Sequence, residues 1–356
     1  MSADLDAWVP DEIEATTELK RSWQAVDLSA VLDGSWTPPE AHVGRRTDGV
    51  GLFYAGKVHT IASESEAGKT WLMLSACIDE MTAGNHVVYL DFEDDEGGLV
   101  RRLLGLQCNP EVIRARFHYV KPSTALGTGI NADDLREVMA VYKPTLTVID
   151  GVTEAMTMHG MDPLSNKDIA TFGRMLPRAL AAFGCAVVCL DHVVKSGENR
   201  GRYALGGVHK LNGLDGAAFV LENRKPFGVG LVGISTIRLA KDRPGQLRKN
   251  GVPSKEGMFW FADLRLNSHT EGFLEVEIVP PEIKEQGEFR PTALMGQICA
   301  ALEKHGPLSA AKIEAVVRGK AMTIRTARNL LQIEGFVSDG TPHALLKPWV
   351  EGDQND

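Results

Sequence analysis

Eight residues constrain this chain more than any others: Ser63-Glu64-Ser65-Glu66-Ala67-Gly68-Lys69-Thr70. An apolar run over 58–62 precedes them, and apolar residues at helical spacing follow over 69–82. A strand, a tight loop ending in Gly-Lys-Thr and a helix together form the setting of a phosphate loop. There the backbone N–H groups from Ser63 to Gly68 would cradle phosphates at a helix N-terminus. Lys69 would reach the β- and γ-phosphates, and the Thr70 hydroxyl would ligate Mg²⁺. Trp71 completes the set of residues expected around ATP. Serine stands at 63 where the motif has its first glycine, and a small residue fits there if the local φ is negative.

The pattern around this octet extends it into a fold class. Apolar runs at 58–62, 86–91, 145–150 and 185–190 alternate with helical stretches at 69–82, 97–106, 132–141 and 168–183. Continuous apolar runs followed by helices read as parallel strands buried on both faces, in a doubly wound α/β core. Strand-like runs without helices follow at 216–222, 233–240, 258–264 and 273–279, as expected of antiparallel strands added to one edge. The expected division is an acidic, turn-rich N-terminal extension over 1–56, the core over 57–280 and a Pro/Glu/Gly-rich linker over 281–291. A small C-terminal domain over 292–350 and a tail over 351–356 complete it. Helical patterns at 293–305, 310–318 and 323–334, then a ribbon over 335–347, resemble a winged helix-turn-helix.

Strand ends are where such sheets place their chemistry. Asp150 ends the run 145–150 and is expected to hold Mg²⁺, usually through water. The run Asp91-Phe92-Glu93-Asp94-Asp95-Glu96 follows the second strand. In-line attack on a γ-phosphate needs a carboxylate to position water, a role expected of Glu93, with Asp91 as second choice. Asp94, Asp95 and Glu96 read as helix-dipole partners at the start of the next helix. Asp191-His192 ends the fourth run, where His192 would either sense the γ-phosphate or serve as a structural histidine.

The net charge of −9 argues against a protein that coats nucleic acid over its whole surface, but it hides an asymmetry. Residues 195–249 carry eleven Lys/Arg against four Asp/Glu, so a local basic region exists. Within it, Lys195, Arg200, Arg202, His209 and Lys210 lie in a glycine-rich stretch that either tracks a phosphodiester backbone or forms a solvated loop. Lys241 and Arg243 follow the strand 233–240. They read either as cations reaching a neighbouring subunit's γ-phosphate or as a surface turn. In the C-terminal domain, Arg325 and Arg328 fall on the outer face of the third helix, suited to DNA or to another protein.

The order of these features resembles the RecA-like P-loop ATPases over about 50–264, closest to the RepA-type, DnaB-like replicative helicase branch of plasmids and phages. It also looks like related AAA-type ATPases of actinobacteria and their phages. The resemblance implies a RecA-like core with Mg²⁺–ATP at subunit interfaces. It also implies a ring, of six subunits, or a filament on single- or double-stranded DNA. By position, it makes Lys69 and Thr70 the phosphate-loop pair, Glu93 the catalytic glutamate and Asp150 the metal-site aspartate. His192 becomes the sensor, with Lys241 and Arg243 acting in trans.

Two rival functions remain open. A nuclease would use Asp91, Glu93 to Glu96 and Asp150 to hold metal ions. A regulatory switch would couple ATP to a DNA- or protein-binding winged helix. Composition narrows the setting: five widely spaced cysteines read as reduced core thiols, and Cys185 and Cys189 read as packing on one strand face. The acidic N-terminus lacks the apolar segment of a signal peptide, and no run is long enough to span a membrane, so a cytoplasmic protein is expected.

Overall fold

The computed structural model describes residues 24–192, 213–269, 272–282 and 291–349. They divide into two compact units, Met1–Glu282 and Ile283–Asp356. In chain order the strands of the first unit are β1 (Ala41–Arg45), β2 (Gly51–Tyr54), β3 (Val58–Ser63), β4 (Val87–Asp91), β5 (Phe117–Val120) and β6 (Leu146–Asp150). They continue with β7 (Ala186–His192), β8 (Ala217–Lys225), β9 (Val232–Asp242), β10 (Val252–Pro253), β11 (Phe259–Ser268) and β12 (Leu274–Val279).

Ten of these form one sheet in the spatial order β10-β11-β9-β8-β3-β7-β6-β4-β5, with β12 also paired to β11. From β8 to β5 every pairing is parallel. Beyond β8 every pairing is antiparallel. The chain leaves β3 through the helix Lys69–Thr82 and returns three strands away at β4. β7 and β6 fill the gap, so the ends of four strands line up beside the loop that follows β3.

Both faces of the parallel strands are covered, which explains their unbroken apolar runs. Val87, Tyr89, Val148 and Val188 face one core with the helix Lys69–Thr82. Their neighbours Val88, Leu90, Ile149 and Val187 face a second core with the helices Ile130–Tyr142, Val152–Met158 and Asn166–Gly173. The expected helix over 168–183 is interrupted. Pro177 lies in a π-helical turn, Arg174–Arg178, before the helix resumes at Ala179–Ala181. Proline lacks the N–H and its ring crowds the carbonyl four residues back, and the wider turn relieves that clash. All five cysteines are buried and none forms a disulfide, and Cys185 and Cys189 pack in the same core. Among the described residues no helix is long and apolar enough to cross a membrane.

The packed core begins earlier than the boundary at 57. β1 and β2 form an antiparallel hairpin whose Val43, Leu52, Phe53 and Tyr54 are buried in the first core. Arg46, in the turn of this hairpin, is 5% exposed. Its guanidinium makes four hydrogen bonds, two to Asp48, one to the carbonyl of Asn250 at 2.8 Å and one to that of Phe261 at 2.6 Å. The turn residues of this segment hid its strands, because a glycine-rich hairpin is legible only once a partner covers it.

The second unit packs the helices Thr292–His305, Ala310–Val316 and Ala321–Ile333 around Met295, Ile298, Leu302, Ile313, Ile324 and Leu331. Two isolated bridges, Leu308 to His343 and Val337 to Leu345, stand where a ribbon was expected. Arg325 is drawn into a two-pronged ion pair with Glu314, at 2.8 and 3.3 Å. Arg328 donates to Asn329.

Asp242 ties the hairpin to the antiparallel half of the sheet. It is 5% exposed and accepts from Tyr54 Oη at 2.9 Å and from the N–H groups of Gly245 at 3.0 Å and Leu247 at 2.8 Å. Removing the phenol would leave part of a buried carboxylate unsatisfied. Tyr54→Phe is expected to cost about 1.5–3 kcal/mol of stability, read as a lower denaturant midpoint with an unchanged slope.

Candidate functional site

The loop after β3 begins in fully extended backbone. Ser63 pairs with His192 of β7 and Leu221 of β8, and it is not among the residues with positive φ. Serine at the first motif position therefore carries no backbone strain. Its hydroxyl donates to the carbonyl of Glu64 at 2.7 Å and accepts from Lys69 Nζ at 3.1 Å.

The loop then turns twice through left-handed backbone, at Glu66 with φ 62° and at Gly68 with φ 94°. Turns of this kind bring successive N–H groups to one side, where they form an anion-binding concavity. Gly68 is required for a second reason: a Cβ there would lie 2.9 Å from both Leu264 Cδ2 and Phe227 Cε2. The loop is also held from below, where the buried Ser235 hydroxyl of β9 donates to the carbonyl of Ala67 at 2.8 Å. Glu64, Ser65 and Glu66 remain exposed. The helix Lys69–Thr82 has no acidic residue in its first turn, so nothing there neutralises its positive N-terminal end. Thr70 is half-buried in that turn. Trp71 packs against the first core, with the Arg102 guanidinium 6.0 Å above its ring.

The strand ends bring acidic groups to this loop. Burial lowers the affinity of Lys69 for its proton, while the charges of Asp150, Glu93 and Asp191 pull the other way. Asp150 is 7% exposed and accepts from the Tyr89 hydroxyl. Burial raises its pKa to about 6, with Asp91 adding to the rise and Tyr89, Lys69 and Arg102 opposing it. Asp91 is cross-strand from Asp150, yet its own oxygens are committed. They accept from the N–H groups of Glu93 at 3.0 Å and Asp94 at 2.9 Å, and from Tyr119 Oη at 3.1 Å. Asp91 thus folds the turn that presents Glu93.

Glu93 points back over Gly151, where a Cβ would lie 2.6 Å from Glu93 Cγ. Gly151, with φ 84°, leaves that space open. His192 Nε2 lies 3.3 Å from Glu93 Oε1. Burial raises the Glu93 pKa to about 7; a hydrogen bond with Glu154 and the charges of Asp150 and Glu154 add to this, and Lys69 opposes it. Glu154 was not foreseen from the sequence. Its signal was its place, four residues after Asp150, in the first turn of the helix Val152–Met158.

Lys69, Glu93, Asp150 and His192 therefore converge at one edge of the parallel sheet. The rest of the acidic run serves the fold. Asp94 pairs with Arg102 at 2.7 Å, Asp95 caps the helix Glu96–Gly105 by accepting from Gly98 N–H at 2.7 Å, and Glu96 faces Lys121 at 3.8 Å. Among the described residues no three His, Cys, Asp or Glu side chains are grouped to hold a metal ion by themselves.

Lys241 and Arg243 do not join their own chain's site. Lys241 is level with Ala218 of β8, which is level with Thr60 of β3. Arg243 lies beyond, its N–H bonded to the carbonyl of Gly216, whose own N–H reaches Val58. At about 3.3 Å per residue, Val58 is roughly 17 Å from Ser63 along the strand. Lys241 Nζ donates to the carbonyl of Leu214 at 2.9 Å, and Arg243 is exposed. Lys195, Arg200, Arg202, His209 and Lys210 lie outside the described residues.

Residues 35–198 match a family model described as an AAA domain. That match supports an ATPase of the P-loop class, with ATP as its nucleotide. A search of curated proteins finds no match.

Two outcomes test the site. Gly68→Ala adds a methyl group to left-handed, crowded backbone. It is expected to lose more than about 1 kcal/mol of stability and to abolish nucleotide binding measured by calorimetry. The raised Glu93 pKa makes the free protein less stable as pH rises from 4.5, the ordinary value, through about 7, because the unfolded chain gives up its proton first. Glu93→Gln is therefore expected to raise the melting midpoint at about pH 8 and to leave it near wild type at about pH 4.

Proposed function

We propose that this protein is a Mg²⁺-dependent ATPase that acts on DNA as an oligomer, a helicase- or recombination-type motor of the RepA-type, DnaB-like branch. The observation that carries the reading is the convergence of Lys69, Asp150, Glu93 and His192 at the strand ends beside a left-handed phosphate loop. Mg²⁺–ATP, when bound, would supply the electrophilic γ-phosphorus and a divalent charge that offsets the negative phosphate oxygens.

The donors present fit that group. Loop N–H groups and a helix N-terminus suit phosphate oxygens, and the Thr70 hydroxyl with Asp150 offers the hard oxygens Mg²⁺ prefers. Lys69 neutralises phosphate charge. Its bonds to the Ser63 carbonyl and hydroxyl, at 3.4 and 3.1 Å, keep the ammonium at the loop. Glu93 orients the attacking water and accepts its proton. His192, hydrogen-bonded to Glu93 and next to Asp191, links that carboxylate to the segment that follows β7. In this reading that segment is the DNA-contacting loop, through Lys195, Arg200, Arg202, His209 and Lys210.

Lys241 and Arg243 support the oligomeric part of the reading. Far from their own phosphate loop, they are useful to catalysis only if a neighbouring copy receives them, as in a ring. The C-terminal unit serves as a winged helix, in which Glu314 engages the exposed Arg325 while Arg328 is half-buried and donates to Asn329. The protein works in the cytoplasm of a cell that supports phage or plasmid replication.

The test is ATP turnover with and without single-stranded DNA. Wild-type turnover is expected to rise with DNA, and Lys69→Ala is expected to lose a hundredfold or more, by order of magnitude, with an unchanged circular dichroism spectrum. Turnover indifferent to DNA would remove the motor and leave the switch. An inactive wild type would remove hydrolysis itself.

A further inference from the structure

Scattered exposed apolar side chains are ordinary, but contiguous ones are not. Two such clusters stand on the first unit. The first is an N-terminal arm. Residues 24–38 are all exposed, and within them Val26 is 80% exposed, Leu28 59%, Val31 56%, Leu32 83% and Trp36 52%. The short helix Ser29–Leu32 inside the arm buries none of its residues. The arm is nonetheless shaped by its own bonds. Asp27 accepts from the Ser29 N–H at 2.9 Å and Asp33 from the Ser35 N–H at 2.9 Å, while Trp36 N–H reaches the Ala30 carbonyl at 2.8 Å. Pro38-Pro39 then stiffens the chain before β1.

The second cluster is the tip of the β8–β9 hairpin. Val229 is 94% exposed, and Leu231 and Val232 are each 51% exposed. Arg224 and Lys225 are exposed at its base. Arg224 keeps about half its side chain in water, at 52%, while reaching Asp263 at 3.4 Å. The tip abuts the phosphate loop, because Phe227 packs against Gly68.

We propose that the arm of one copy docks on the β8–β9 tip of a second copy. The two clusters are complementary in charge as well as in apolarity. The arm from 24 to 36 contains Asp27 and Asp33 and no Lys or Arg, whereas the tip is flanked by Arg224 and Lys225. Both are exposed on the same chain, so the arm does not cover its own tip. A contact between unlike patches repeats head to tail, which closes into a ring or propagates as a filament. Docking on the tip also places the neighbour against Phe227 and hence the phosphate loop, so assembly and nucleotide binding would stabilise each other. This deepens the oligomeric part of the function proposed above and does not depend on hydrolysis.

The test is sedimentation velocity of the full-length chain across the micromolar range, with the arm variant Leu32→Ser/Trp36→Ser and the tip variant Val229→Ser/Leu231→Ser. All four positions are exposed, so thermal midpoints near wild type are expected. Wild type is expected to associate, more weakly at high salt, and each variant to associate at least tenfold more weakly. An equimolar mixture of the two variants is expected to form one-to-one pairs, since an intact arm then meets an intact tip. If a serine variant misfolds, Asp33→Lys and Lys225→Glu replace it: each alone should weaken association, and mixing them should restore it. A wild type that stays monomeric overturns the proposal. So do variants that associate like wild type, and mixtures that fail to restore pairing. ATP turnover is measured separately, so either reading can fall while the other stands.

Discussion

A partly buried ammonium needs negative charge close by, and Lys69 sets that demand for the whole first unit. Burial disfavours its charge, and Asp150, Glu93 and Asp191 supply the compensation. Each of these groups ends a different parallel strand or follows one, and the strand order makes their approach possible. Had β4 lain beside β3, Asp150 and Asp191 would have been carried away from the loop. The crossover that places β7 and β6 between β3 and β4 gathers the three carboxylates on one side of Lys69.

The same edge is built to hold more negative charge than it can stabilise alone. Asp150 and Glu93 both have raised pKa values, for the same leading reason, burial, with like charges close by. The free site therefore carries an electrostatic penalty that a phosphate-bound divalent cation would relieve. Glu93 is held in its place by the backbone as much as by charge. Asp91 shapes the turn beneath it, and Gly151 leaves it room. Three further carboxylates of the acidic run are spent on a helix cap and two ion pairs, so a run that looks uniform in sequence splits into one group facing Lys69 and several structural ones.

Much of the fold was legible because both faces of the central strands are buried. That condition writes itself into the chain as largely apolar runs at β3, β4, β6 and β7, separated by stretches of helical spacing. β5 and the hairpin β1–β2 were not legible. β5 has only four residues, Phe117–Val120, and follows directly on the helix Pro110–Arg116. The hairpin interleaves glycines and charges, and its burial depends on Arg46 reaching Asn250 and Phe261, some two hundred residues away in sequence. No local window contains that contact.

The candidate site divides in the same way. Sequence alone determined the phosphate loop, since Gly68-Lys69-Thr70 after a strand has a local meaning that backbone geometry enforces. It also determined that acidic residues end the neighbouring strands. Only the tertiary structure decided which of them gather around Lys69. Asp91 is engaged by three hydrogen bonds, Glu154 is brought into contact with Glu93, and Lys241 and Arg243 are set at the opposite edge of the sheet by the antiparallel register of β8 and β9. The physical reason is common to all three: a carboxylate or an ammonium acquires its role from distance and burial. Those are properties of strands brought together across many residues, which no spacing along the chain can express.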